Sequence, residues 1–182
     1  KLPYIKRGVL VKTILSILII FSSSFASISF DVNTFDKKKF SGLWYEIART
    51  QNSFQENCVA SSVEYILEDE AYDVFNRCFE NELDGKLIQY NGDAKVSQIE
   101  NNISLDMTYF YLFTSSYKII YLNNYKTAII TDDDYSNLWI MSRVPSIDQS
   151  ELKMILKKLE NKMDTSKLIF TKLDPKGRYK WK

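Results

Sequence analysis

Asn33-Thr34-Phe35-Asp36-Lys37-Lys38-Lys39-Phe40-Ser41-Gly42-Leu43-Trp44-Tyr45-Glu46-Ile47-Ala48-Arg49 is the segment on which the fold turns. Its second half, Leu43 to Arg49, is aromatic and partly β-branched and reads as a strand. Gly42 permits a close bend into that strand, and Trp44 puts a large ring on one of its two faces.

Downstream the β pattern repeats. Val59 to Glu68 alternates along its length, Asp69-Glu70 turns the chain, and Tyr72 to Phe79 returns. Leu87 to Val96, Ile103 to Leu112, Tyr117 to Leu122, Lys126 to Thr131 and Leu138 to Arg143 complete eight strands. Asn123-Asn124-Tyr125 reads as a tight turn between two of them. Short connections in series predict antiparallel, up-and-down pairing. Eight such strands can close into a barrel, which removes exposed edges and leaves room for one small ligand. A two-sheet sandwich satisfies the same composition.

One helix follows the strands. Asp148-x-x-Glu151 predicts a capping box, in which Asp148 bonds the first backbone N–H groups and Glu151 reaches back. Leu152, Ile155, Leu156, Leu159 and Met163 then share one face, which must be buried against the outer wall of the sheet. Leu168 to Leu173 reads as a ninth short strand. Lys176 to Lys182 is a basic and aromatic tail, read as a frayed terminus or a contact to an anionic membrane surface.

The 182 residues are 45% hydrophobic, which excludes intrinsic disorder. The net charge of +1 gives no basic excess for nucleic acid. The absence of histidine excludes His-based triads, HExxH zinc sites and histidine-ligated haem together. Two cysteines cannot build a four-cysteine metal site. No cofactor, metal or catalytic residue is expected. Asp132-Asp133-Asp134 reads as a solvated loop rather than a calcium site, and Asn102-Ile103-Ser104 is a glycosylation sequon if the source is eukaryotic.

Residues 1–26 read as a secretory signal peptide. Lys1, Lys6, Arg7 and Lys12 form a basic start, Thr13 to Phe21 is apolar, and Ser24-x-Ala26 suits cleavage. The alternative is a tilted membrane anchor. Cleavage leaves 20 basic and 23 acidic residues. Residues 27–175 then form one domain and residues 176–182 the basic tail. The product is expected to be secreted or periplasmic, without a lipid-anchor cysteine.

The chain resembles the lipocalin family, in the branch that holds the bacterial outer-membrane lipocalins and apolipoprotein D. Gly42-x-Trp44 after a short helical approach matches the family's first motif, with WYEIAR typical of that branch. Leu122-Asn123-Asn124-Tyr125 matches the second, with Asn123 where aspartate is usual. Arg143, closing Trp139-Ile140-Met141-Ser142-Arg143, matches the third. The resemblance implies an all-β fold: an eight-stranded barrel with the helix packed outside and a short ninth strand. Gly42, Trp44, Asn123, Tyr125 and Arg143 are then structural. Arg143 stacks on Trp44 and bonds backbone carbonyls to close the barrel floor.

By the same resemblance Tyr65, Asn76 and Trp139 face a ligand. Period two along the strands adds Glu46, Ala48, Val63, Leu67, Val74, Ile119, Tyr121 and Met141. A filled core is the competing account of these residues. Glu46 is expected either to meet a ligand head group or to bond a neighbouring tyrosine. Cys58 and Cys78 sit at the meeting ends of one hairpin, and export favours their disulfide. The competing reading is a reactive thiol, as in the enzymatic prostaglandin D synthases.

The function this implies is an exported carrier of a small hydrophobic ligand, a fatty acid or lysophospholipid, serving envelope lipid maintenance and stress. Expected partners are that ligand and a peripheral membrane contact, with no nucleic acid; the protein is a monomer or weak homo-oligomer. A barrel enzyme of isomerase or de-epoxidase type and a surface-interaction protein are the rival readings.

Overall fold

The computed structural model describes residue 32, residues 34–99 and residues 101–179. The signal segment 1–26, Asn33 and the last three residues of the tail lie outside these.

A short helix, α1 (Lys37–Phe40), leads into β1 (Gly42–Arg49). Asp36 caps α1, accepting from the backbone N–H groups of Lys38 and Lys39. Seven further strands follow: β2 (Cys58–Glu68), β3 (Ala71–Glu80), β4 (Leu87–Ile99), β5 (Asn102–Tyr109), β6 (Phe113–Asn123), β7 (Thr127–Thr131) and β8 (Leu138–Ser142). Each pairs antiparallel with the next, and β1 pairs with both β2 and β8, so the sheet closes. The sandwich alternative is therefore excluded. Helix α2 (Gln149–Leu159) and the two-residue β9 (Ile169–Phe170), paired to β1, complete the chain.

The barrel is shut at one end by the segment quoted first. Trp44 is buried and donates from Nε1 to the Phe40 carbonyl at 2.9 Å. The Arg143 guanidinium lies 3.9 Å from the Trp44 ring centroid. It donates to the carbonyls of Leu43, Lys39, Phe40 and Ser41 at 2.7–2.9 Å, and to that of Tyr125 at 3.2 Å. Burial pulls the Arg143 pKa down to about 10, which leaves it charged at neutral pH. Gly42 has φ +101°, and a Cβ there would stand 3.2 Å from an Arg143 nitrogen. Tyr125 accepts from the Asp36 N–H at 2.7 Å, tying the β6–β7 turn to the α1 cap.

Three bulges break the period-two reading. One lies between Glu46 and Ala48, one between Ile119 and Tyr121, and one between Val59 and Ser62. An extra residue in one strand turns every later side chain to the other face. Ile47 and Ala48 accordingly both join the outer cluster under α2, and so do Ile120 and Tyr121. The expected inward placement of Ala48 and Tyr121 is corrected on this ground. Tyr121 instead donates to Glu151 on α2 at 2.8 Å.

Helix α2 buries the expected face. Ile155 and Leu159 are fully buried against the wall, with Leu152, Leu156 and Met163 beside them. Asp148 caps it as expected, accepting from Ser150 and Glu151 N–H at 2.9 Å. Glu151 does not reach back to it. Its carboxylate accepts from Tyr121, Asn123 and Thr127 on the barrel, pinning the helix to the wall.

Two further expectations change. Phe110 to Leu112 are not strand but the β5–β6 turn, and β6 begins at Phe113. Lys176 to Tyr179, read as tail, are docked on the barrel. Tyr179 is buried edge-on to Tyr45, and Arg178 bridges Asp174 and Asp84. The Arg178 hydrogen bonds hold the Asp174 carboxyl down at about 2.

Cys58 and Cys78 form a disulfide, with Cα atoms 5.4 Å apart. The ladder pairs Cys58 with Glu80, so the bridge is diagonal, a reach helped by the nearby bulge in β2. It closes a separation of 20 residues. A Cys58→Ser/Cys78→Ser variant is expected to lose about 3 kcal/mol in urea unfolding. An unchanged midpoint would show that the hairpin is held by its ladder alone.

Candidate functional site

The other end of the barrel is open. A cavity lies above the Trp44 floor. Its walls are Val63 and Tyr65 (β2), Asn76 (β3), Leu105, Met107 and Tyr109 (β5), Tyr117 (β6), Ile130 (β7), and Trp139 and Met141 (β8). Glu46 and Gln55 form its polar side. Beside it, at the open end, is a mouth lined by Asn52, Phe54, Tyr90, Phe110, Phe113 and Asn137. Gln55, Asn76, Tyr109, Tyr117 and Trp139 line both, so the two adjoin across these side chains.

Local sequence sets the key side chains. Gly92 on β4 pairs with Tyr109, and a Cβ at Gly92 would meet that ring at 2.7 Å. The missing side chain lets the Tyr109 ring lie across β4, where its hydroxyl accepts from Asn76 Nδ2 at 2.9 Å. Phe54 stacks on Tyr109 from the β1–β2 loop at 6.4 Å, and Tyr117 meets Trp139 edge-on at 5.1 Å. Burial raises the Tyr65 hydroxyl well above its ordinary range and pushes Tyr109 up to about 12. Both phenols are therefore neutral at physiological pH and able to donate hydrogen bonds.

Glu46 meets neither a tyrosine nor bulk water. Its carboxylate is 2.9 Å from the Arg49 guanidinium, also accepts from Thr171, and takes a bond from Gln55 Nε2 at 2.5 Å. Arg49 is equally buried and donates to the carbonyls of Gln55 and Cys58. Gln55 in turn accepts from Trp139 Nε1 at 2.8 Å. A charged pair in the wall is thus compensated, and Gln55 links it to the cavity's largest ring.

Six of the residues expected inside line the cavity: Glu46, Val63, Tyr65, Asn76, Trp139 and Met141. Leu67, Val74 and Ile119 also face inward but pack in the inner core instead of lining the space. Ala48 and Tyr121 are outside. Leu105, Met107 and Tyr109 line the cavity without being among the expected residues, although Ile103, Leu105, Met107 and Tyr109 alternate plainly with Ser104, Asp106 and Thr108. Gln55 sits in a loop, where no periodicity marks it. Both cysteines of the chain are consumed by the disulfide, so the thiol-enzyme reading is withdrawn.

The fold matches solved structures. Lobster apocrustacyanin A1 aligns with a TM-score of 0.61 at 20% identity, over 76% of this chain and 79% of that one. At that identity the likeness speaks for the fold. In sequence, the chain is 32% identical over 142 residues to Outer membrane lipoprotein Blc of Escherichia coli (strain K12), covering 76% of this chain and 80% of the relative. It is 29% identical over 148 residues to rat (Rattus norvegicus) Apolipoprotein D, covering 74% and 75%. The family described as "Lipocalin-like domain" matches residues 35–173. With the closed barrel, the Trp44–Arg143 floor and the open cavity, this shows that the chain belongs to the lipocalin family.

Proposed function

We propose that the protein is an exported carrier of a single-chain lipid, a fatty acid or a lysophospholipid, with a role in envelope lipid maintenance and stress. The observation that carries this reading is the shape and chemistry of the interior: an apolar, aromatic space closed at Trp44 and open at the mouth, with its polar groups gathered on the Glu46–Gln55 side and at Asn76. An acyl chain lies against Val63, Leu105, Met107 and Ile130, and its polar head is left towards the mouth amides. Each buried CH2 contributes about 0.8 kcal/mol, so a partly enclosed chain reaches micromolar affinity by burial alone. The function is burial, not chemistry. The apolar start at residues 1–26 supports export, and the outer-membrane lipoprotein among the relatives supports an envelope setting.

Native mass spectrometry of the exported protein is expected to show a co-purifying lipid and a mass that reports signal cleavage. Titration of delipidated protein with oleate or lysophosphatidylethanolamine should change Trp139 emission. Trp139→Ala, followed by competition with a fluorescent fatty acid, is expected to raise Kd about tenfold, the worth of one aromatic wall. An empty barrel that ignores both lipids would end the carrier reading.

A further inference from the structure

A second recess lies outside the barrel, on the outer wall of β3 and β4 and against the β5–β6 turn. Asp73 and Phe75 of β3 and Gln89, Asn91 and Asp93 of β4 alternate with the inward-facing Val74, Tyr90 and Ala94, so they face outward. Tyr111 bounds the recess from the turn. It and Phe110 have φ +60° and +51°, a conformation that bulky residues adopt at a cost. The ladder sets Asp73 directly opposite Asp93, and Phe75 directly opposite Asn91.

The amides of the recess are held from one side. Arg77 is 8% exposed, pairs with Glu64 at 2.9 Å and donates from Nε to Gln89 Oε1 at 2.7 Å. Gln89 Nε2 in turn donates to Asn91 Oδ1 at 2.8 Å. That bond orients the Asn91 amide, whose Nδ2 has no partner among the described residues. The Arg77 guanidinium also stacks 5.3 Å from the Phe75 ring centre. Amides on an exposed strand face are ordinarily free to rotate; here both are immobilised before anything binds. The two aspartates differ. Neither carboxylate has a hydrogen bond or an ion pair among the described residues. Lys95, on the next row of the same face, stands opposite Ala71 and Asp106 and makes no ion pair with Asp73 or Asp93. Like charges directly opposite in a ladder destabilise it. The stability of the sheet therefore explains neither the aspartate pair nor the open amide.

The set of donors and acceptors selects the occupant. Two carboxylates offer acceptors only, Asn91 Nδ2 offers donors, and Phe75 and Tyr111 offer ring surface. An anion is repelled by Asp73 and Asp93. An ammonium ion leaves the Asn91 donors unmet. A sugar satisfies all three: its hydroxyls donate to the carboxylates and accept from the amide, and its C–H face lies on an aromatic ring. We infer that this outer-wall recess binds a neutral saccharide. The recess borders the mouth, sharing Tyr90 and Phe110, but its polar groups face away from the cavity. Saccharide binding there stands independently of the carrier reading.

The test is saturation-transfer NMR on the full disulfide-bonded chain with maltotriose, cellotriose and chitotriose, and with trigalacturonate and spermidine as charged probes. At least one neutral trisaccharide is expected to take up saturation at millimolar concentration, and trigalacturonate none. Asp73→Ala/Asp93→Ala should weaken that binding about tenfold, through the loss of charge-assisted hydrogen bonds. The same variant is expected to melt at or above the parent, because the opposed charges are gone. Trp139→Ala, inside the cavity, should leave saccharide binding unchanged. Three results overturn the inference: no neutral saccharide bound, equal binding by the double variant, or a double variant that melts below the parent, which would give the aspartates to the sheet. Spermidine bound through the same aspartates in place of the saccharides would also overturn it and assign the recess to an organic cation. Saccharide binding by a chain that takes up no lipid would leave the inference standing and remove the carrier reading.

Discussion

The Arg143→Ala variant is expected to melt about 10 °C below the parent, with ligand affinity unchanged when measured below the transition. Arg143 donates to five backbone carbonyls drawn from α1, the Ser41 link, β1 and the β6–β7 turn. These carbonyls surround a half-buried guanidinium stacked on Trp44. Alanine removes the stacking and strands several of the acceptors away from water. Losing a hydrogen-bonded cation from such a setting costs about 3 kcal/mol or more. For a domain of this size that corresponds to about 10 °C. Arg143→Lys is expected to recover little, because an ammonium cannot span the acceptors as the planar fork does. The cavity lining does not include Arg143, so binding is spared. Circular dichroism melts with a fluorescent fatty acid titration check both halves. A melting point within about 2 °C of the parent would show that Trp44 and Phe40 close the floor without the cation.

Glu46→Ala is the second large effect, expected at about 3 kcal/mol in urea unfolding. The cause is what remains. Arg49 is 2% exposed, and its carboxylate partner would be gone while the guanidinium stayed buried. Gln55 would lose its acceptor as well, and with it the fixed position from which it holds Trp139. A double variant, Glu46→Leu/Arg49→Leu, is expected to regain most of the loss, since a buried pair replaced by apolar groups is nearly neutral. If the double variant is as unstable as Glu46→Ala, the uncompensated guanidinium is not the cause.

The barrel could be read from the chain because its signals are local. Alternation in β2 and β5, the turn at Asn124-Tyr125, the Asp148 cap and the Leu152–Met163 face are each visible within about a dozen residues. Gly42, Trp44 and Arg143 were also readable, through their spacing and the family likeness they carry. Direction inside the barrel was less legible. Period two placed Val63, Leu67, Val74 and Met141 on the inner face, and the resemblance placed Tyr65 and Asn76 there, because β2, β3 and β8 are regular at these positions. Period two misplaced Ala48 and Tyr121 because a single extra residue inverts the remainder of a strand.

Those bulges answer to packing. Ile47 and Ala48, and likewise Ile120 and Tyr121, present adjacent residues to α2, a contact made with chain about a hundred and about thirty residues away. The Glu46 environment has the same origin: Arg49 is near in sequence, but Thr171 is 125 residues on and Gln55 comes from an irregular loop. Composition, strand count and the cap followed from nearest-neighbour chemistry, the floor motif from the family likeness, and the disulfide from the meeting ends of one hairpin and an exported setting. Which face each bulged strand offers, which carboxylate is paired and which aromatic residues stand out at the mouth were decided only when distant segments met, because burial and charge compensation depend on neighbours that local sequence does not contain.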